Sequence, residues 1–403
     1  MSLNDTPSSE RLHIGFFGRR NAGKSSLVNA IAGQALSVVS PQAGTTTDPV
    51  LKAMELLPLG PVVLMDTPGF DDEGELGELR VQKTREAMLR TDIAVLVLDA
   101  ALGLTAEDAA LQRQFALRGI PCLTVMSKCD LPRTPPVQSD GILFVSARSG
   151  QGVRELKERI AGLAPAGKPS PLACDLVKPG GLAVLVCPID ESAPRGRLIL
   201  PQQMVIRDLL DAGAQALVTR ETELTAALQR LAVPPDIVIT DSQAFAAVSR
   251  DTPEEIPLTS FSILLARYKG FLETAVAGAA ALPALQEGDR VLICEGCTHH
   301  RQCNDIGTVK LPRFLRSVAG APLQIETRSG HDFPEDLSPF AAVVHCGGCM
   351  ITEREVRMRM RQAEAQDVPF TNYGIAIALA TGTLERSLRP FPALHKLLAE
   401  AER

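Results

Sequence analysis

The 403-residue chain has no Trp and only two Tyr, and aromatic residues make up 4% of it. So few rings cannot build the stacking platforms on which single-stranded DNA or RNA loops are read. It also has no run of Lys and Arg. The net charge is −6 and the pI about 5.7, so nucleic acid is not expected as a partner. No stretch reaches the roughly 18 apolar residues of a membrane helix, and the polar first ten residues lack the apolar core of a signal peptide. The expectation is a cytoplasmic protein with no membrane partner. In that setting the nine cysteines are not expected to form disulfides.

What the chain does have is an ordinary globular balance, 45% hydrophobic and 22% charged, and enough length for two or three domains. Short apolar runs at 13–17, 62–65, 93–98, 122–126 and 142–145 read as strands. Helical patterns fall at 24–32, 76–90, 106–117 and 153–163. Strands alternating with helices predict a mostly parallel sheet with helices on both faces. The Pro- and Gly-rich stretch 161–171 reads as a linker. Beyond it, strands are expected at 182–186, 216–218 and 237–240, with helices at 202–212, 221–231 and 241–248, the last capped by Asp241 or Ser242. A third segment begins near residue 271. Its strands at 290–294 and 340–345 each run into a Cys-rich loop, and helices are expected at 352–365 and 375–380. The expected division is 1–168, 174–268 and 270–403, three α/β domains.

Chemistry enters first at Gly18-Arg19-Arg20-Asn21-Ala22-Gly23-Lys24-Ser25, which fits G-x-x-x-x-G-K-[ST] in full, between a strand and a helix. The glycines let backbone N–H groups turn toward phosphates, Lys24 reaches the β and γ oxygens, and Ser25 ligates Mg²⁺. Gly18, Asn21, Ala22, Gly23, Lys24, Ser25 and Ser26 are the phosphate-site candidates. Four further pieces follow in the order GTPases use. In Gly44-Thr45-Thr46-Thr47-Asp48, Thr46 is the candidate for Mg²⁺ and for sensing the γ-phosphate. In Asp66-Thr67-Pro68-Gly69, Asp66 holds a Mg²⁺ water and the Gly69 N–H touches the γ-phosphate. In Ser127-Lys128-Cys129-Asp130, Asp130 accepts from guanine and the Lys128 stem packs on the base. Ser146-Ala147-Arg148 offers a backbone N–H to the guanine oxygen. The bound nucleotide expected is GTP with Mg²⁺.

This set resembles the translation-factor-like GTPases, above all the tRNA-modifying and ribosome-assembly group. Two positions depart from it. Ser127 stands where Asn is usual, which weakens support of the base loop. Phe70 stands where Ras-like enzymes carry a water-orienting Gln. In the resembling group a potassium ion, held partly by the Asn matching Asn21, supplies charge instead, which implies slow, K⁺-stimulated hydrolysis.

The second constellation is Cys294-Glu295-Gly296-Cys297-Thr298-His299-His300-Arg301-Gln302-Cys303 together with His345-Cys346-Gly347-Gly348-Cys349. A C-x-x-C alone serves zinc, iron–sulfur and redox chemistry alike. Cys294 ends an apolar strand and is expected as a buried small hydrophobe. Asn372-Tyr373-Gly374 reads as a turn. With the phosphate loop in front, the pair C-x-H … H-C-x-x-C resembles the family of H-cluster maturation GTPases of iron–iron (FeFe) hydrogenases, HydF, over the whole chain.

That resemblance implies a GTPase domain, a dimerisation domain and an iron–sulfur cluster-binding domain. It implies a 4Fe-4S cluster on Cys297, Cys346 and Cys349. His299 and His345 match the motif histidines, and the fourth ligand is left among His345, His299, Asn304, Asp305 and Cys303. It implies a homodimer or higher oligomer that receives a two-iron precursor from radical-SAM maturase enzymes and hands it to apo FeFe hydrogenase. The competing expectation is a zinc- or cluster-containing GTPase of RNA modification or ribosome assembly.

Overall fold

The computed structural model describes residues 6–33, 49–69, 75–131, 142–164, 170–189, 198–296 and 306–395. The chain divides into two compact units, Met1–Gly167 and Lys168–Arg403.

The first unit holds strands β1 (Leu12–Phe17), β2 (Val50–Leu56), β3 (Gly60–Asp66), β4 (Ile93–Asp99), β5 (Cys122–Ser127) and β6 (Leu143–Phe144). They form one sheet in the order β2-β3-β1-β4-β5-β6. Every pairing is parallel except β2 with β3. The two-residue period of a strand sends alternate side chains to opposite faces. Ile14, Phe16, Val95 and Val97 meet Leu27 and Ile31 of helix Lys24–Ala32 and Leu156 and Ile160 of helix Val153–Gly162. Phe17, Leu96 and Leu98 meet Met88 of helix Glu75–Arg90 and Leu111 and Phe115 of helix Ala106–Leu117 on the other face. The expected sheet with helices on both faces is present. Strand β2 was not foreseen. Lys52 and Glu55 break its apolar run, as suits an edge strand whose open side must not recruit another chain.

The second unit holds two four-stranded sheets. The first contains β7 (Leu182–Val186), β8 (Gln215–Thr219), β9 (Ile237–Thr240) and β10 (Leu258–Ser260), in the order β10-β9-β7-β8. The second contains β11 (Arg290–Glu295), β12 (Gln324–Ser329), β13 (Ala342–His345) and β14 (Phe370–Asn372), in the order β12-β11-β13-β14. Both are parallel throughout. One core runs through the unit, joining Leu185 and Ile239 of the first sheet to Leu292 and Val343 of the second. Leu264, Leu265, Ala275 and Val276, from helices Phe261–Tyr268 and Leu272–Ala279, belong to the same core. Position 270 lies at the turn between those two helices.

Strands β10, β12 and β14 and helices Leu272–Ala279, Leu311–Ala319 and Leu384–Leu388 were not foreseen, and other details also differ from expectation. The stretch 221–231 is a 3₁₀ turn, Glu221–Glu223, followed by a short helix, Leu224–Gln229. The helix expected at 241–248 is Phe245–Asp251, with Ala244 at its cap position. Asp241 lies four residues ahead of that start, and its carboxylate accepts from Gln202 Nε2 at 2.8 Å. Helix Phe261–Tyr268 was missed because its run Phe-Ser-Ile-Leu-Leu-Ala has no polar face to mark a period. It is buried nearly all round, and the Ser260 side chain caps it by accepting from the Ile263 N–H.

Candidate functional site

Two sites lie at the carboxyl ends of parallel strands, where open α/β sheets build them. The first follows β1. Gly18 has φ +147°, and a Cβ there would sit 2.3 Å from the Val97 carbonyl of β4. Gly23 has φ +100° and would drive a Cβ to 2.6 Å from Ser127 Oγ. Asn21, at φ 58°, adds a third left-handed residue. These turns aim the loop at the start of helix Lys24–Ala32, whose cap residue Gly23 has no side chain to satisfy the first N–H groups. Such a helix start favours an anion. Lys24 is buried, and its ammonium donates to the carbonyl oxygens of Gly18 at 2.8 Å and Arg19 at 2.7 Å. Ala22 is buried beneath the loop, while Asn21, Ser25 and Ser26 face outward.

Asp66, at the end of β3, hydrogen-bonds the Ser25 side chain. Burial pushes its carboxyl up, against the pull of Ser25 and of the Lys24 and Lys52 ammonium groups. Its Oδ1 is buried with no hydrogen-bond partner among the described residues. An unsatisfied buried carboxylate oxygen beside a serine hydroxyl fits Mg²⁺ with its waters. The backbone at Gly69 passes so near the phosphate loop that a Cβ there would lie 2.7 Å from the Arg20 nitrogen. Thr46 and Phe70 lie outside the described residues.

On the base side, Lys128 has φ 62°, and its Nζ reaches Asp99 Oδ2 at 2.8 Å. Burial raises the Asp99 carboxyl, but the Lys128 ammonium and the Ala101 N–H outweigh it and hold it below its ordinary value. Asp130 is exposed, and the Ser146 hydroxyl holds its carboxyl low. Ser146 is itself fixed, its N–H on the Gln151 carbonyl at 3.0 Å and its Oγ accepting from Ser149 N at 3.1 Å. Ala147, half-buried, follows it. Ser127 fills the space under Gly23. The phosphate loop and the base loop therefore touch through a side chain shorter than Asn.

The second site follows β13. Cys346 Sγ accepts from the N–H of Gly296 at 3.0 Å and of Gly348 at 3.3 Å. Gly348 has φ +69°, and a Cβ there would press Val356 Cγ2 at 2.9 Å. One on Gly347 would meet Leu265 of helix Phe261–Tyr268 at 3.4 Å. The two glycines let the loop lie flat between two helices. Burial first, then the neighbouring Cys346, push the Cys349 thiol up to about 12. Two half-buried thiols three residues apart, one with two N–H donors at its sulfur, make a donor set suited to a thiolate-bound metal or iron–sulfur core. A bound cation would supply the charge that burial withholds. Cys297, His299, Cys303, Asn304 and Asp305 lie outside the described residues, which end at Gly296 beside the Cys346 sulfur. Among the described residues no group of three or more His, Cys, Asp or Glu gathers as a metal site. Cys294 is buried in the core, as expected.

His345 is placed differently from its neighbours. It is fully buried and stacks on Phe370 at 5.7 Å. Its Nδ1 bonds the Cys346 carbonyl at 2.7 Å, and Nε2 faces Arg359 at 3.1 Å. Burial, then the Arg359 charge, push its pKa down to about 3. A neutral ring with both nitrogens engaged props the cysteine loop from behind. Asn372, read as part of a turn, caps helix Tyr373–Ala380 by accepting from Ile375 N at 2.7 Å.

The sequence reading passed over the residues that support this loop. Arg359 and Glu355 form an ion pair with both side chains almost fully buried. His331 Nδ1 lies 3.0 Å from Glu355. Lys269, with no exposed surface, donates to the Ile351 carbonyl at 2.7 Å. Helix Glu353–Glu364 (EREVRMRMRQAE) reads as a solvated face, and an i,i+4 Glu–Arg pair on such a helix carries no mark of burial. Lys269 follows Arg267 and Tyr268 in the sequence, which carries no mark of its burial.

Comparison with known proteins matches three stretches of the chain. Residues 172–270 match the hydrogen maturase F dimerization domain and 273–390 the hydrogen maturase F tetramerization domain. Residues 13–128 match a 50S ribosome-binding GTPase domain. The tRNA modification GTPase MnmE of Ralstonia nicotianae is 37% identical over 168 residues, 38% of this chain and 35% of that protein. Its counterpart from Paraburkholderia xenovorans is 38% identical over 164 residues, again 38% and 35%. The chain thus spans about a third of the length of these curated relatives. Among solved structures, Aquifex aeolicus Era bound to GDP and aluminium fluoride is 19% identical, with TM-score 0.34, covering 52% of this chain and 93% of that one. The cytosolic domain of the T. maritima FeoB iron transporter is 20% identical, with TM-score 0.31, covering 39% and 65%. No helix among the described residues is long and apolar enough to cross a membrane.

Proposed function

Since the chain belongs to the hydrogen maturase F family, we propose that it is a GTP-hydrolysing scaffold that binds a 4Fe-4S cluster and delivers the two-iron subcluster precursor to apo FeFe hydrogenase. The observation that carries this reading is Cys346, whose sulfur takes two backbone N–H bonds beside Cys349 in a chain that also holds a complete phosphate loop. The division of labour follows the expected one: 1–168 for the nucleotide, 174–268 for dimerisation, 270–403 for the cluster.

At the nucleotide site the backbone N–H groups from Gly18 to Ser26 wrap the phosphates. Lys24 exchanges its two carbonyl partners for β and γ oxygens. Ser25, and Asp66 through a water, would hold Mg²⁺, which when bound would supply positive charge at the β and γ oxygens. Thr46 would be a further ligand of the same ion, and the Gly69 N–H would read the γ-phosphate. Asp130 accepts from guanine, Lys128 covers the base, and Ser146 and Ala147 border its oxygen. Asn21, exposed in the loop, would share a potassium ion, making hydrolysis slow and K⁺-stimulated.

At the cysteine site Cys297, Cys346 and Cys349 hold the cluster, which supplies an anionic anchor for the two-iron cargo. The Gly296 and Gly348 N–H groups spread the thiolate charge of Cys346. His345 holds the Cys346 carbonyl and thereby the angle of the loop, while His299, the other motif histidine, remains among the candidates for the fourth ligand. Radical-SAM maturases are the suppliers of the cargo, and the assembly is a homodimer or larger.

The direct test loads the purified protein with cluster and synthetic two-iron precursor, then mixes it with apo FeFe hydrogenase. Hydrogen evolution that needs the loaded protein supports the reading. No activation, with zinc in the cysteine loop, would favour a GTPase of RNA modification or ribosome assembly instead.

A further inference from the structure

Lys128 has a left-handed backbone, at φ 62°. A residue with a side chain keeps that conformation only where its surroundings hold it. Here it follows directly on the end of β5 and turns the chain toward the exposed Asp130. The backbone beyond it is held by the Cys129 N–H on the Val145 carbonyl at 3.3 Å and the Leu131 N–H on the Lys128 carbonyl at 3.1 Å. The Lys128 side chain is held by its ion pair with Asp99, Nζ to Oδ2 at 2.8 Å, the two side chains 33% and 19% exposed.

Asp99 is well anchored for that task. It closes β4, in register with Ser127 at the end of β5. The next residue ties the two strand ends together, with the Ala100 N–H on the Ser127 carbonyl at 3.0 Å. The Asp99 carbonyl accepts from the Leu102 N–H at 3.0 Å and the Gly103 N–H at 2.9 Å. Its Oδ1 accepts from the Ala101 N–H at 2.9 Å, which fixes the carboxylate and leaves Oδ2 for the lysine. A rigid strand end therefore grips the tip of a flexible side chain.

We propose that Asp99 is a positioning residue for the nucleotide's base, pinning the Lys128 ammonium so that its aliphatic stem already lies where the purine ring packs. The inference rests on the reading of Lys128 and Asp130 as the pair that holds guanine. A free lysine side chain samples many rotamers, and ordering it when the ligand arrives lowers affinity. Pinned in advance, the stem is ordered by folding instead of by binding. Asp99 touches no part of the base in this account and acts only through Lys128.

The test is a double-mutant cycle on the full chain: wild type, Asp99→Asn, Lys128→Met and the two combined, each titrated with a fluorescent GDP analogue. Asp99→Asn keeps an acceptor for the Ala101 N–H and drops the charge. Lys128→Met keeps an apolar stem and drops the ammonium. Asp99→Asn alone is expected to bind about tenfold more weakly, the worth of one charge-assisted bond. In the Lys128→Met background the same change is expected to matter by less than about twofold. A tenfold loss in both backgrounds overturns the proposal, because Asp99 would then act without the lysine. Wild-type affinity in Asp99→Asn also overturns it. Should Asp99→Asn not fold, Lys128→Met decides: a loss of about tenfold with an unchanged nucleotide-free melt supports the pin, and wild-type affinity overturns it. A wild type that binds no guanine nucleotide defeats the reading of the site itself, not the role of Asp99 alone.

Discussion

The phosphate loop and the cysteine loop both sit where parallel strands end, and both depend on glycines at close approach, yet they are built in opposite ways. The phosphate site is local. Eight consecutive residues supply the turn, the lysine and the helix start, and Asn21, Ser25 and Ser26 face outward. The cysteine loop is itself half-buried, but its supports come from distant parts of the chain and are buried with their charges. Lys269, Glu355, Arg359 and His345 are all at most 3% exposed around it. The phosphate site keeps Asn21, Ser25 and Ser26 at the surface with Lys24 buried behind them, whereas the cysteine loop keeps its supports inside.

The strongest way to break this contrast is at the buried ion pair. Arg359→Ala strands Glu355 in the interior and should cost about 3–5 kcal/mol, read by urea unfolding of the second unit's transition. An effect near the few tenths of a surface pair would mean the loop is not braced from within.

Next in size is Lys24→Ala. Two charge-assisted bonds to phosphate are worth about 3 kcal/mol together, so GTP should bind about 100-fold more weakly in a fluorescent-nucleotide titration. The cluster content should not change. A parallel loss of iron would deny that the two sites are separately built.

Acid separates them further. In the folded chain His345 is held neutral with its pKa at about 3, against 6.5 for the free side chain. Between those values the unfolded chain takes up a proton that the native one refuses. Stability is therefore intact above pH 6.5 and falls as pH drops toward 3, by up to about 1.4 kcal/mol per pH unit. His345→Asn should flatten that slope in thermal melts of the apo protein. Asp130 and Asp99, at the nucleotide site, have carboxyls held low, and their contribution is lost only at more acidic pH.

The smallest expected effect is at helix ends. Thr352 caps the helix that carries Glu355 and Arg359 by accepting from Glu355 N at 3.2 Å. Thr352→Ala should cost about 1 kcal/mol and leave GTP hydrolysis unchanged.

The contrast also explains what could be read from the sequence. The first sheet's inner strands were legible because Ile14, Phe16, Val95 and Val97 alternate with Phe17, Leu96 and Leu98, so both faces are apolar and the runs are continuous. The phosphate loop was legible because its chemistry is contiguous. Strand β2 escaped because Lys52 and Glu55 interrupt it at an exposed edge. Helix Phe261–Tyr268 escaped because burial on all sides erases the helical period. The supports of the cysteine loop escaped for a related reason. Glu355 and Arg359 look like solvated charges, and it is groups distant in the chain, among them His331, His345 and the Phe333 ring, that surround them in the interior. The cysteines themselves were found by spacing, while His345, found by the same spacing, has both ring nitrogens committed within the protein.

The central claim is that Cys297, Cys346 and Cys349 grip one inorganic core independently of the nucleotide site. Anaerobic reconstitution of wild type and Cys349→Ala, each assayed for visible absorbance and for GTP hydrolysis in KCl, tests it most directly. The account predicts a brown wild type that bleaches with dithionite, and a colourless Cys349→Ala that hydrolyses GTP at the wild-type rate. A colourless wild type carrying zinc, or a Cys349→Ala protein that keeps its full cluster, would contradict it.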